Sequence, residues 1–230
     1  MSTTEKRALV HVVAGVLTDA GGRILLAQRP AGKHLAGGWE FPGGKLEPGE
    51  SRLATLTREL SEELGVTIGA AHPLLRLVHA YPERDIDFDV WVVTDYQGEP
   101  RSLDGQRLRW CERDALPDAG LLPADRPVVT ALLLPEKIVA LTGPGYRVVG
   151  TDALQTLHKD DGLIGVLCDN DADAVRAATR GADFIVLRSV LDTAQITALT
   201  AGIIVPVYAH GIGLSEAWMM GASGVNDLAG

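Results

Sequence analysis

Cysteine, positive charge and long apolar runs are scarce in this sequence, and each shortage excludes something. Cys111 and Cys168 are the only cysteines and stand far apart, which leaves no disulfide framework and no metal-ligand spacing. Each reads as a small buried residue. Basic residues are outnumbered 21 to 30, and the deficit is evenly spread: 15 − 19 = −4 through Pro135 and 6 − 11 = −5 after it. Neither half has the basic balance needed to hold a nucleic acid polymer, whereas a single nucleotide arriving with its own metal ions is compatible. No apolar run approaches the ~20 residues of a membrane span. The opening MSTTEKRALV has no hydrophobic signal core, so no membrane partner and a cytoplasmic location are expected.

The chain's 230 residues exceed one small domain, and two are expected, 1–135 and 136–230. The most informative stretch is Gly44–Val66, GKLEPGESRLATLTRELSEELGV. Pro48-Gly49 makes a turn, Ser51 suits a helix N-cap, and Gly65 is a stop. Leu53, Leu56, Leu60 and Leu64 recur every three or four residues, so they form one buried stripe. Glu59, Glu62 and Glu63 fall on one side of that stripe, and three carboxylates so close repel unless a cation joins them. Hard divalent ions take oxygen ligands and keep waters that can become nucleophiles. The plain alternative is a solvated acidic face with Arg58 paired to Glu62.

Upstream, Ala8–Leu17 and Ile24–Gln28 flank the Asp19–Gly22 turn and read as a β-hairpin. A loop, 29–38, leads into Trp39-Glu40-Phe41-Pro42-Gly43-Gly44-Lys45. Downstream, Leu74–Tyr81 and Ile86–Tyr96 are predicted strands. The alternation in Asp85-Ile86-Asp87-Phe88-Asp89 gives the second of them a polar face and a buried one. Leu108–Glu112 is a short strand, and Pro127–Leu134 a helix with proline in its first turn.

Gly44, Glu50, Arg58, Glu59, Glu62, Glu63 and Gly65 match G-x5-E-x7-R-E-U-x-E-E-x-G-U throughout, with Leu60 and Val66 at the apolar U positions. The stretch resembles the Nudix box. The E-F-P-G-G-K run before it, with Tyr81–Arg84, Gly98–Pro100, Asp104–Gln106 and Leu122–Val128, is similar to the MutT branch of that family over about the first 135 residues. The resemblance implies an α/β/α sandwich with a mixed sheet. It also implies hydrolysis of a nucleoside triphosphate, oxidised purine nucleotides such as 8-oxo-dGTP in particular, to the monophosphate and pyrophosphate by water attack at the β-phosphorus. Mg2+ or Mn2+ would be held by Glu59, Glu62, Glu63 and the Gly44 carbonyl, with Glu50 behind them and Arg58 orienting the glutamates. The general base is Glu59, Glu62 or Asp104. Arg29, His34, Phe41, Arg84 and Asp125 are the nucleotide-site candidates, Asp125 standing where the family carries a base-reading asparagine. Hydrolysis of another nucleoside diphosphate derivative, a binding module without turnover, and thiamine-phosphate-synthase activity in the second half are the alternatives.

After Lys137 apolar runs at Ile138–Leu141, Leu163–Cys168, Phe184–Arg188 and Ile203–Tyr208 alternate with helical segments near Ala153–His158, Ala172–Thr179, Ala194–Thr200 and Leu214–Met220. This rhythm predicts parallel strands in βα units. Gly181–Phe184 and Pro206–Gly211 resemble pieces of thiamine-phosphate-synthase (TenI-like) barrels. The segment is too short for an eightfold barrel, which takes ~200 residues or more, and carries no pair of glycine-rich phosphate loops. A partial array without synthase activity is expected, its open edge covered by the first domain or by a second copy in a homodimer. His210, Met219 and Met220 read as packing residues.

Overall fold

A computed structural model describes residues 7–155 and 162–228. The first part of the chain runs β1 (Ala8–Leu17), β2 (Ile24–Gln28), β3 (Trp39–Glu40), β4 (Gly43–Lys45), α1 (Arg52–Leu64), β5 (Thr67–Ala80), β6 (Arg84–Gln97), β7 (Leu108–Cys111) and α2 (Arg126–Leu133). The predicted hairpin is replaced by two layers. After one bridge, Thr18 to Ile24, β1 and β2 part into sheets of order β4-β1-β6-β5 and β3-β2-β7. Val13–Leu17 and Ile24–Ala27 are buried throughout. An isolated two-stranded ribbon has no means of covering both faces of such strands, and layered sheets do. One side of the sandwich packs Val13, Leu17 and Val93 on Leu56, Leu60 and Leu64 of α1. The other joins both sheets to Val128, Val129 and Leu132 of α2.

β5 starts well before the predicted Leu74, because register shifts between Ile68 and Leu75 pass over Gly69 and, next to Pro73, Leu74 on what is an edge strand. The expected polar face of β6 is not solvated: Asp87 and Asp89 are 3% and 6% exposed. Arg76 of β5 donates to both oxygens of Asp87 at 2.8 and 2.7 Å, His11 of β1 lies 2.6 Å from it, and Arg52 of α1 pairs with Asp89. Buried carboxylates at such positions need partners, and three neighbouring elements supply them.

The second part runs β8 (Lys137–Ile138), β9 (Thr142–Gly143), β10 (Tyr146–Gly150), β11 (Leu163–Cys168), α3 (Asp171–Thr179), β12 (Phe184–Leu187), α4 (Thr193–Gly202), β13 (Val207–His210), α5 (Leu214–Met219) and β14 (Gly224–Asn226). Its sheet has the order β8-β14-β13-β12-β11-β10-β9, parallel except for the β9-β10 pair. The predicted strand at Ile203–Tyr208 shrinks to Val207–His210, since Pro206 has no N–H for the ladder and Ile204 is half exposed. Val139 and Leu141, expected in a strand, are exposed beyond β8. Thr151–Gln155 is a 3-10 turn, and the rest of the helix predicted to His158 lies outside the described residues. Of the two methionines read as packing, Met220 is buried and Met219 is 80% exposed.

The sheet is not flat. A flat seven-stranded sheet would separate its outer strands by ~29 Å, whereas a three-residue link spans at most ~14 Å. β8 and β9 are those outer strands and are joined by Val139–Leu141 alone, so the sheet curls and brings its two outer strands near one another without pairing them. Tyr146, Phe184 and Tyr208 fill its inner side in edge-to-face contacts of 6.0 and 5.8 Å. On its outer side α4 and α5 pack against β5, where Trp218 stacks on His72 at 3.6 Å. The edge that is covered is thus the sandwich's own.

Candidate active site

The box helix is built as its sequence predicts at both ends. Ser51 accepts the Ala54 N–H at 3.2 Å, and Gly65, at φ 69°, donates back to the last turn. The buried stripe differs at one place: Leu53 is 43% exposed and Thr55 is fully buried instead. The Thr55 hydroxyl donates to Glu50 at 2.8 Å, so the helix start is tied to a carboxylate rather than to an apolar neighbour.

Arg58 is the hub of the box. It donates to Glu50 at 2.8 and 3.0 Å, to Glu59 at 2.9 Å, to Glu62 at 3.3 Å and to the Lys45 carbonyl at 3.1 Å. Glu50 is held down to about 2, first by these Arg58 bonds and then by Thr55. With its donors so engaged, Arg58 fixes carboxylates and the β4 backbone; it does not line the cleft. The Arg58–Glu62 pair of the plain alternative exists too, but as one contact among several.

A cleft of about 570 Å³ runs across the sandwich. Its lining holds two groups of neighbours, Gly44, Glu59, Glu63 and Asp104, and Phe41, Leu122, Ala124 and Asp125; Arg29, His34 and Arg84 line it as well. The candidates of the sequence are therefore brought together except Arg58 and Glu62, whose side chain is 62% exposed on the rim. A Cβ at Gly44 would overlap the Glu59 carboxylate, which explains the glycine. Burial, then repulsion from Glu59, Glu40 and Asp104, pushes Glu63 up to about 7, against an opposing hydrogen bond from the Gly43 N–H.

Among the described residues no three acidic, histidine or cysteine side chains close around one point as a ready-made metal site. Glu59 and Glu63 nonetheless repel across a space open beside the Gly44 backbone. That donor set suits Mg2+ or Mn2+, since such ions retain several waters and need few protein ligands.

The surroundings of Asp125 are built by β3. Trp39 exchanges backbone bonds with Gly120 and Leu122, which sets Glu40-Phe41 beside Ala124-Asp125. Asp125 is 2% exposed and occupies the N-cap of α2 without capping it. Its carboxyl accepts the Phe41 N–H, while Oδ1 has no partner. Burial, reinforced by Glu40, raises it well above the usual carboxylate range.

Arg29 is less free than a ligand-binding arginine would be: it pairs with Glu40 at 2.6 Å and donates to the His34 carbonyl at 2.6 Å, pinning its own loop. The His34 ring meets Tyr81 edge-on at 5.6 Å. Glu40, Tyr81, Gln106 and Lys45 also line the cleft and were not singled out from the sequence. Glu40 had a signal, lying inside the E-F-P-G-G-K run. Tyr81, whose hydroxyl accepts the Ala124 N–H at 3.3 Å, had only its place in a similar segment.

The description NUDIX domain matches residues 13–131, more than half of the chain. The chain belongs to the Nudix family. It is 38% identical over 125 residues to a CTP pyrophosphohydrolase of Escherichia coli (strain K12), covering 54% of this chain and 92% of that protein. It is 38% identical over 117 residues to an 8-oxo-dGTP diphosphatase of Haemophilus influenzae, covering 51% and 85%. The solution structure of the E. coli ORF135 protein superposes with a TM-score of 0.50 at 38% identity, covering 55% of this chain and 90% of that one. The protein is thus a Nudix hydrolase, and these likenesses cover its first half. No helix among the described residues is long and apolar enough to cross a membrane.

Proposed function

We propose that this Nudix hydrolase is a metal-dependent nucleoside triphosphate pyrophosphohydrolase that converts 8-oxo-dGTP to 8-oxo-dGMP and pyrophosphate. The observation that carries the reading is Asp125: a buried carboxyl with one oxygen unpartnered, lining the same cleft as Glu59 and Glu63. The relatives named 8-oxo-dGTP diphosphatase support it.

Catalysis at phosphorus is mostly positioning and neutralisation of charge. Glu59, Glu63 and the Gly44 carbonyl would hold Mg2+ or Mn2+, with Glu62 joining from the rim. When bound, the cation neutralises phosphate oxygens and polarises a water. Arg58 and Glu50 keep Glu59 and Glu62 oriented. Of the three base candidates, Glu59 and Glu62 are tied to Arg58, whereas Asp104 faces the cleft with no basic partner among the described residues. We assign Asp104 the proton of the attacking water. Lys45 and Arg84, also without ion pairs among the described residues, face the same space and suit the triphosphate.

Oxidation at C8 turns guanine N7 from an acceptor into an N–H donor. A protonated Asp125 donates its O–H to O6 while its carbonyl oxygen accepts N7–H; with dGTP that oxygen meets a lone pair instead. A mismatched buried bond of this kind costs ~1–3 kcal/mol, or roughly 5- to 150-fold. A second reading, CTP hydrolysis, is favoured by the relative of that name, because the same neutral carboxyl fits cytosine N3 and its amino group. Steady-state kcat/KM for 8-oxo-dGTP, dGTP and CTP, measured across pH, separates the two. Preference for 8-oxo-dGTP over dGTP, weakening as pH rises through the elevated pKa of Asp125, is expected. Asp125→Asn should flatten that dependence and Asp125→Ala should lose most of the selectivity. Equal values for the two guanine nucleotides with CTP well ahead would replace the first reading by the second.

We further propose that the chain divides near Pro135 into two domains, 1–135 and 136–230. The second has no synthase chemistry assigned to it, and a brace for β5 is the role its packing supports.

A further inference from the structure

The segment joining β6 to β7, Gly98–Arg107, is wrapped round the end of the box helix. Two of its backbone N–H groups, from Arg101 and Leu103, donate to the Leu64 and Glu63 carbonyls at 3.0 and 2.9 Å. These carbonyls end α1 and would otherwise need water. Gln106 adds a side-chain clasp: it is 6% exposed, donates through Nε2 to the Glu63 carbonyl at 3.3 Å, and accepts the Ser102 hydroxyl on Oε1 at 3.2 Å. Its neighbour Gly105, at φ 75°, turns the chain so that Asp104 faces the cleft. The backbone carbonyl of Glu63, whose side chain lines the cleft, is thereby bonded to both Leu103 and Gln106, which bracket Asp104-Gly105.

We propose that Gln106 is a positioning residue for the hydrolysis, acting through Asp104 by holding the Gly98–Arg107 segment in register with Glu63. The proposal rests on the roles given above to Asp104 and Glu63. The amide side chain supplies both the donor for Glu63 and the acceptor for Ser102. A leucine would fill the space and supply neither, leaving the Glu63 carbonyl with one bond fewer and Ser102 with none at this site. An Asp104 freed by even an ångström loses its approach to the water, since geometry of this kind is worth large factors in rate.

The test uses the full chain, Gln106→Leu, Asp104→Asn and the double variant, with pyrophosphate release as the readout and Mn2+ binding to the nucleotide-free protein as the second. Gln106→Leu is expected to lower kcat about tenfold with KM within about twofold. It should also weaken Mn2+ binding several-fold and speed amide exchange at Arg101 and Leu103 about tenfold or more. The double variant is expected to be no slower than Asp104→Asn alone, because residues that act as a unit are not additive. Losses that multiply, or a Gln106→Leu protein with a lowered Tm but parental kcat and Mn2+ affinity below that Tm, would show a merely structural cap and overturn the proposal. A parent that releases pyrophosphate while Asp104→Asn keeps its kcat overturns the route through Asp104. A parent that releases none from any nucleoside triphosphate overturns the proposed reaction, a failure distinct from the others.

Discussion

One buried polar side chain from each half of the chain, Asn226 and Asp125, is treated in opposite ways, although the Ser223 hydroxyl of the second half also lacks a partner among the described residues. In the curled sheet, Asn226 is 1% exposed and fully occupied: its amide donates to the Leu187, Ala209 and Tyr208 carbonyls, and its oxygen faces His210 at 3.2 Å. The Tyr208 hydroxyl donates to the Pro135 carbonyl at 2.8 Å, and three aromatic rings close the inner side. In the sandwich, the cleft leaves Asp125 Oδ1 without a partner and crowds Glu63 with Glu59, Glu40 and Asp104. Unmade bonds and unrelieved repulsion cost stability in the free protein. In the cleft, where Asp125 and Glu63 both face open space, a ligand can relieve them; Asn226 needs none.

The comparison breaks most readily at Glu59 and Glu63. Replacing either by Gln should cut turnover ~10²-fold or more, equivalent to ~3 kcal/mol of transition-state stabilisation. The fold should survive, because removing one charge from a crowded, metal-free cluster relieves repulsion. Parental rates for Glu59→Gln and Glu63→Gln at saturating Mg2+, with pyrophosphate release followed directly, would show that the crowding has no catalytic purpose.

How much of this was legible in the sequence varies along the chain. The box helix and its caps were readable, because glycine, serine and charged residues at fixed spacing constrain local geometry strongly; Asp104 and Asp125 came from the resemblance to the MutT branch alone. Partners across sheets were not. Nothing in Ala8–Leu17 says that it pairs with Arg84–Gln97 in parallel rather than with its neighbour Ile24–Gln28. The alternation in β6 correctly separated two faces, yet it could not show Arg52, Arg76 and His11 arriving from three other elements to bury the aspartates. The curl of the second sheet depends on a link of three residues between strands of two, below what periodicity resolves.

A chain ending at Pro135 sharpens the comparison from the other side. If the second half is a brace, its loss should leave turnover within a few-fold of the parent. It would bare β5, where Trp218 stacks on His72, a contact worth ~0.5–1.5 kcal/mol beyond its buried area. A loss of ~1–2 kcal/mol lowers Tm by roughly 5–10 °C in a domain of this size. The exposed edge strand should also promote self-association, seen by size-exclusion chromatography. A shortened chain that folds, stays monomeric and has lost all turnover would place part of the reacting site in the second half.

The smallest effect is expected at Asp89, which tests whether a buried carboxylate of the sandwich that does have a partner differs from Asp125. Burial, opposed by Arg52 and Arg76, pushes Asp89 up to about 6 from 3.8. The folded state therefore binds this proton more tightly than the unfolded chain does. The stabilisation is complete below pH 3.8 and is lost as pH rises through about 6. The full linkage for such a shift is ~3 kcal/mol, and Asn recovers only part of it because it gives up the charge-assisted bond to Arg52. Asp89→Asn should accordingly gain about 1 kcal/mol at pH 8, or ~2–4 °C in Tm, and gain nothing at pH 4. Turnover should be unchanged at both, since Asp89 lies outside the cleft. Calorimetry at the two pH values decides it: an equal gain at pH 4 and pH 8 would mean that packing at this position, rather than its proton, sets the difference.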